Sequence, residues 1–149
     1  IENIKKDPYG RRHIITSWNP GELDQMALPP CHYNVQFIVM NDKLNCVMTQ
    51  RSQDIFLGAP FNYIMYGALT HMIARECDLG VGELVVNVAD AHIYHNHFNA
   101  VEEQLSREPK ALPKLILNPD VKNVVDFKIS DFDIIDYDPE PTIKAPMAV

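Results

Sequence analysis

Hydrophobic and polar positions alternate over residues 33–39 and again from Leu44 to Gln50. This two-residue period predicts two β-strands. Asn41 and Asp42 separate the two runs, and both residue types favour the tight turn of a hairpin. We therefore predict an antiparallel hairpin.

A longer apolar repeat follows the hairpin. Its members recur at spacings of three and four residues, which predicts one buried face of an α-helix. They are Phe61, Ile64, Met65, Ala68, Leu69, Met72 and Ile73. Pro60 suits the first turn of this helix, and Gly80 lies just beyond its expected end.

The rest of the chain predicts shorter elements. These are a short buried strand at Leu84–Val88, a helix at His92–Arg107 that Pro109 stops, and strands at Leu115–Leu117 and Phe132–Tyr137. Strand pairs interrupted by long helices are typical of α+β proteins. We find no repeat or linker, so residues 1–149 are interpreted as part of one domain.

Composition narrows the possible partners. The 149 residues are 46% hydrophobic, enough for a core, and their net charge is −7. That charge argues against DNA and anionic membranes, which select basic surfaces. No apolar run reaches the roughly 18–20 residues that span a bilayer. Three cysteines without a CxxC motif are typical of reduced thiols, and a cytoplasmic location is expected.

Cys31 is the candidate nucleophile. The predicted hairpin brings it to the same end as Arg51, whose positive charge would favour a thiolate. The alternative is that Cys31 is a small buried apolar residue, as cysteines frequently are. Cys46 and Cys77 lack such a neighbour and are interpreted as structural.

Arginines supply a candidate anion site. A guanidinium group binds phosphate through two hydrogen bonds, and the hydroxyl of Ser52 beside Arg51 adds another donor. Arg11 and Arg12 form a second candidate, with an exposed, solvated basic pair as the alternative.

Asn62 is a candidate for recognising a base. Its amide has one acceptor beside one donor, which matches the N3–H and O4 atoms of uracil and not the reversed pattern of cytosine. A position in the first turn or cap of the helix explains Asn62 equally well.

The histidines at 92, 95 and 97 raise the possibility of a metal site. On a helix, His92 and His95 share a face and His97 does not, and no cysteine or aspartate cluster accompanies them. Hydrogen bonds from His92 and Tyr94 to a ribose hydroxyl are an alternative. We predict no metal.

Several motifs recur in a fixed order along the chain. They are Arg11-Arg12, Ser17-Trp18-Asn19, Pro29-Pro30-Cys31-His32, Gln50-Arg51-Ser52-Gln53-Asp54, Phe56-Leu57-Gly58, Pro60-Phe61-Asn62, His92-Ile93-Tyr94 and Leu105-Ser106-Arg107-Glu108-Pro109. Together they closely resemble the thymidylate synthase family. The resemblance covers the chain from end to end and implies that it is the C-terminal part of the family's catalytic domain, without the N-terminal part.

The resemblance implies a mixed β-sheet with long packed helices, and a homodimer packed sheet to sheet. It implies reductive methylation of dUMP to dTMP, with 5,10-methylenetetrahydrofolate as donor of the carbon and the hydride. It also implies that no metal takes part. Two alternatives remain: a dUMP hydroxymethylase of the same superfamily, and a non-catalytic fragment that needs a complementary chain.

The resemblance also assigns roles to residues. Cys31 would attack C6 of the uracil ring. The residues that would bind dUMP are Arg51, Ser52, Gln53, Asp54, Asn62, His92, Ile93 and Tyr94, with Arg11 and Arg12 from the other subunit. The residues that would contact folate are Asp54, Leu57, Gly58, Phe61 and Ala148, and the C-terminal residues would close over the site.

Overall fold

The computed structural model describes residues 1–147 and has an α+β architecture. Its helices are α1 (Glu2–Lys6), α2 (Gly58–Glu76) and α3 (Phe98–Leu105). Its strands are β1 (Ile14–Thr16), β2 (His32–Met40), β3 (Lys43–Asp54), β4 (Gly80–His92), β5 (Lys114–Leu117) and β6 (Phe132–Ile135). A mixed sheet has the order β1-β2-β3-β4, and β5 pairs with β6. The predicted fold class is therefore confirmed.

The predicted hairpin is present as β2 and β3. The two strands are antiparallel, and their turn residues Asn41 and Asp42 have φ angles of 52° and 58°. Two consecutive residues with positive φ make the turn type that matches the twist of a hairpin, and Asn and Asp tolerate that conformation. The local sequence therefore specifies the turn of the hairpin.

The predicted apolar face of α2 is only partly buried: Ile73 lies in the core and Leu69 packs against it, but the first part of that face is exposed. Phe61 and Ile64 are 74% and 66% exposed, whereas Tyr66 and Thr70 are buried against the sheet. The helix is apolar nearly all round, so its periodicity does not identify the inner face. The polar groups of the buried face are satisfied, because Tyr66 Oη is hydrogen-bonded to His32 Nδ1 at 2.7 Å and Thr70 Oγ1 donates to the Tyr66 carbonyl.

The segment after α2 also differs from the prediction. The expected buried strand at 84–88 is the middle of the longer β4, and its side chains alternate between half-buried and exposed. The expected helix over His92–Arg107 is wrong at its beginning. β4 continues to His92, a 3₁₀ helix covers His95–His97, and α3 follows. Parallel pairing of β4 with β3 keeps this segment extended as far as His92.

The core lies between α2 and one face of the sheet. It contains Ile4, Val35, Phe37, Val39, Leu44, Cys46, Met48, Tyr66, Ile73 and Ala74. Burial of these side chains supplies the main driving force for packing α2 on the hairpin. Ile4 brings the short helix α1, which the sequence did not predict, onto the same core.

Glu76, the last residue of α2, joins two other segments. Its Oε1 accepts from Lys5 Nζ at 2.9 Å and its Oε2 accepts from the Val124 N–H at 2.7 Å. The carboxylate is 12% exposed. The Val124 hydrogen bond, followed by that of Lys5, holds the pKa of Glu76 below its ordinary value of 4.5.

Glu76→Gln is therefore expected to lower the free energy of unfolding by about 1–3 kcal/mol, because hydrogen bonds to a charged acceptor are lost. The folded pKa is lowered, so the contribution is complete above pH 4.5 and is lost as the pH falls through the lower folded value. Urea titrations of the full-length protein that carries this sequence, at neutral and acidic pH, measure both effects. Glu2→Gln is the matched control, because Glu2 also pairs with Lys5 at 3.2 Å but is 88% exposed. Equal losses in the two variants would contradict this prediction.

Candidate functional site

The candidate residues meet where three strands of the sheet begin or end. Cys31 immediately precedes β2, and its carbonyl accepts a hydrogen bond from the Arg51 N–H at 2.9 Å. β3 and β4 run parallel, and their register pairs Asp54 with His92. The topology therefore brings Cys31, Arg51, Ser52, Asp54 and His92 to one end of the sheet.

Arg51 is bound to the loop that carries Cys31. Its Nε donates to the Pro30 carbonyl at 3.1 Å, and one terminal nitrogen donates to the Pro29 carbonyl at 2.7 Å. The same nitrogen lies 3.6 Å from Cys31 Sγ. The predicted proximity of Cys31 and Arg51 is confirmed. The hydrogen bonds of Arg51 thus hold a positive charge beside the Cys31 sulfur.

An open cleft of about 460 Å³ lies beside this pair. Arg51 lines it together with Thr16, Trp18 and Tyr33. The Trp18 and Tyr33 rings are packed edge to face, with centroids 6.0 Å apart. A cleft with a cationic group and two aromatic rings suits an anionic ligand that carries a flat ring.

Asn62 is held by a residue that the sequence did not single out. Gln50 Nε2 donates to Asn62 Oδ1 at 2.8 Å, and Gln50 is 1% exposed. Asn62 lies within α2, and the cap of that helix has no side-chain hydrogen bond, so the capping alternative is wrong. Gln50 fixes the direction of the Asn62 amide and leaves its NH₂ group pointing away from this bond. Gln50 follows Cys46 and Met48 at every second position of β3, and this alternation was the sequence signal that Gln50 lies on the buried face.

The turn from β3 into α2 carries further predicted site residues, both polar and apolar. Asp54 Oδ1 accepts from the backbone N–H groups of Phe56 and Leu57 at 3.0 and 3.3 Å. Gly58 begins α2, and the Phe61 ring one turn further on is 74% exposed. This surface therefore presents a fixed carboxylate and an aromatic ring.

Gln53 and Ser52 differ in their surroundings. Gln53 is buried, and its Oε1 accepts from Tyr63 Oη at 3.1 Å. Ser52 is half-buried and follows Arg51 on β3. Gln53 thus contacts α2, whereas Ser52 lies beside Arg51 in the sequence of β3.

The aromatic rings of the histidine segment pack edge to face in pairs. His92 packs edge to face on Tyr94, with centroids 5.0 Å apart, and His95 packs on Phe98. Ile93 between them is 38% exposed. Among residues 1–147, no three histidine, cysteine or acidic side chains are grouped so as to hold a metal ion.

Two predicted residues lie apart from this arrangement. Arg11 and Arg12 are exposed and lie shortly before the edge strand β1. The backbone carbonyl of Arg11 accepts from Gln36 Nε2 at 3.4 Å. The predicted folate contact Ala148 lies outside the described residues.

The two remaining cysteines are consistent with structural roles. Cys46 is fully buried in the core, and burial raises the pKa of its thiol. Burial also raises the pKa of the half-buried Cys77. Neither thiol has the arginine neighbour that Cys31 has.

The geometry agrees with comparisons to known proteins. The family model described as Thymidylate synthase matches residues 1–149. The chain belongs to the thymidylate synthase family. Two curated relatives named thymidylate synthase, from Coxiella burnetii strains Dugway 5J108-111 and RSA 331 / Henzerling II, are each 54% identical to it over 149 residues. The resemblance predicted from the motifs is therefore confirmed.

The chain spans 56% of the length of each of these thymidylate synthases, while the match covers 100% of the chain. Among the described helices, none has the length and apolar character needed to cross a membrane.

Some contacts around this thymidylate synthase family site were not predicted. The carbonyls of Pro29 and Pro30 orient Arg51, and Gln50 orients Asn62. Proline and glutamine are common in loops and in cores, so the sequence gives no sign that these residues orient functional side chains. Only the folded arrangement shows which functional group each one contacts.

Proposed function

We propose that the full-length protein that carries this sequence converts dUMP to dTMP, with 5,10-methylenetetrahydrofolate as co-substrate. The observation that carries the proposal is the contact between Arg51 and Cys31 Sγ at 3.6 Å, in a chain of the thymidylate synthase family. A thiolate beside a phosphate-binding cation suits attack on a phosphorylated heterocycle.

Cys31 would add through Sγ to C6 of the uracil ring. The electron pair of the C5–C6 double bond would then move toward C5 and O4, which makes C5 a carbon nucleophile. The folate co-substrate, when bound, supplies the one-carbon unit and the hydride. Arg51 supports this step by keeping the attacking sulfur beside a positive charge.

The remaining polar groups would bind and orient the nucleotide. Arg51 and Ser52 would hold the phosphate, and Asn62, oriented by Gln50, would recognise N3–H and O4 of uracil. His92 and Tyr94 would bind the 3′-hydroxyl of deoxyribose. Gln53, Asp54 and Ile93 would complete the nucleotide site.

The turn into α2 fits a folate. The Asp54 carboxylate can accept hydrogen bonds from N–H groups of a pterin, and the exposed ring of Phe61 can pack on a flat ring system. Leu57 and Gly58 lie between them, and Ala148 would contact the folate from the C-terminal segment. The chemistry of this site is thus complementary to the proposed co-substrate.

A homodimer packed sheet to sheet is part of the proposal. Ile14, Met40 and Val85 are 52%, 60% and 41% exposed on the sheet face opposite α2, where apolar side chains favour a partner surface. Arg11 and Arg12, which precede β1, would reach the phosphate of the other subunit. The reduced thiols are compatible with activity in the cytoplasm.

Mass analysis of the product formed from dUMP and methylenetetrahydrofolate tests the proposed function. We expect the mass of dTMP and formation of dihydrofolate, with no conversion of dCMP as a control substrate. A hydroxymethyl product would instead identify a hydroxymethylase. Absence of turnover by the full-length protein would favour the non-catalytic alternative.

A further inference from the structure

His97 is a buried histidine to which the proposed reaction assigns no role. Its side chain is 0% exposed, and it ends the 3₁₀ helix that follows β4. Its ring packs between Phe56, at a centroid distance of 5.5 Å, and Tyr94, at 5.7 Å. Both neighbours adjoin residues of the proposed site, so the ring is held between the ends of β3 and β4.

The two ring nitrogens point to different parts of the molecule. Nε2 lies 2.7 Å from the carbonyl oxygen of Pro146, near the C-terminus. A carbonyl only accepts, so Nε2 carries the hydrogen and donates. Nδ1 makes no hydrogen bond with the described residues, and Asp54 Oδ1 lies 4.0 Å from it.

His97 therefore contacts both the C-terminal segment and the turn that carries Asp54. Contacts earlier in that segment are more exposed: Arg107 donates to the Pro141 carbonyl at 2.6 Å, and Lys110 Nζ lies 2.9 Å from Asp138. The His97 side chain is fully buried, whereas Pro146 is exposed, and among the described contacts of this segment their hydrogen bond lies furthest along the chain.

We propose that His97 is a positioning residue that ties the Pro146 carbonyl to the turn that carries Asp54, at the folate side of the proposed site. This inference rests on the proposed function for its kinetic consequence. The attachment of the C-terminal segment itself does not depend on that function. The proposed role requires a hydrogen-bond donor at the position of His97 Nε2.

Replacement of His97 tests the proposal in the full-length protein. His97→Phe keeps a ring between Phe56 and Tyr94 but removes the donor. We expect kcat to fall by roughly 10²-fold, because a small misplacement of groups at the folate side has that effect, while the Kd for dUMP stays unchanged. His97→Gln places an amide nitrogen close to the position of Nε2 and should restore most of kcat. His95→Phe is the matched control, because His95 is an exposed neighbour that contacts Phe98.

Limited digestion by trypsin, without nucleotide or folate, gives a readout that is independent of activity. Lys144 is exposed and lies two residues before Pro146. We expect cleavage after Lys144 to be several-fold faster in His97→Phe than in the wild type, with His97→Gln and His95→Phe close to the wild type. Equal cleavage rates in all four proteins would overturn the proposal. If the wild type digests as expected but does not convert dUMP, the proposed function fails and the role of His97 stands.

Thermal melts establish whether each variant is folded. If His97→Phe does not fold, the comparison is between His97→Gln and His97→Asn, whose shorter side chain does not reach the Pro146 carbonyl. Slow cleavage after Lys144 in His97→Gln together with fast cleavage in His97→Asn supports the proposal. The same rate in both would overturn it.

Discussion

Cys31→Ser is expected to reduce turnover of dUMP by on the order of 10³-fold or more, the loss typical of removing a nucleophile. A hydroxyl is a far weaker nucleophile than a thiolate, even beside the Arg51 cation. Binding of dUMP should remain measurable, because the serine hydroxyl still accepts a hydrogen bond and none of the proposed phosphate or base contacts changes. Steady-state kinetics and equilibrium binding of dUMP measure the two effects separately.

Cys77→Ser is the matched control for this substitution. Cys77 is half-buried and follows α2, away from the end of the sheet that carries Arg51. It should keep near-wild-type turnover. Retained turnover in Cys31→Ser would remove Cys31 from its proposed role.

Arg51→Met is expected to have the second largest effect. The substitution removes the positive charge, the two hydrogen bonds to the Pro29 and Pro30 carbonyls, and the contact with Cys31 Sγ. We expect dUMP to bind roughly 10²- to 10³-fold more weakly, the usual loss when one member of a hydrogen-bonded charge pair is truncated. Alkylation of Cys31 by iodoacetamide, a neutral reagent, should also be slower, because the thiolate loses its neighbouring cation.

The two readouts separate the two roles of Arg51. Deoxyuridine has no phosphate, so its binding should change much less than that of dUMP. Arg75→Met is the matched control, because Arg75 also donates to two backbone carbonyls, those of Leu117 and Asn118, at a distance from the site. Equal weakening for dUMP and deoxyuridine would contradict a phosphate contact, and an unchanged alkylation rate would contradict the effect on Cys31.

The hairpin and the nearness of Cys31 to Arg51 were predictable because both depend on local sequence. The alternation of the two strands and the Asn41-Asp42 turn determine the register, and the register brings the two residues together. The segment from His92 to His97 was not predictable in the same way. Its composition is compatible with a helix, and only pairing with β3, which is distant in sequence, keeps its start extended.

The inner face of α2 shows the same limit for packing. Phe61 and Ile64 are as apolar as the residues that the helix buries, so local periodicity allowed two faces. The Tyr66 hydroxyl pairs with His32 of β2, and the Thr70 hydroxyl is satisfied within the helix by the Tyr66 carbonyl. Packing of α2 against the sheet, which forms only in the folded state, decided between the faces.

By itself, the sequence determined the family, the α+β class, the hairpin and the residue types of the candidate site. These follow from ordered motifs and short-range patterns, which can be recognised in the sequence without knowledge of the fold. Only the tertiary structure decided that Gln50 orients Asn62, that the Pro29 and Pro30 carbonyls hold Arg51, and that His97 joins Pro146 to the turn at Asp54. The physical reason is that each of these contacts joins segments 12 to 49 residues apart, and their geometry is set by packing of the whole sheet against its helices.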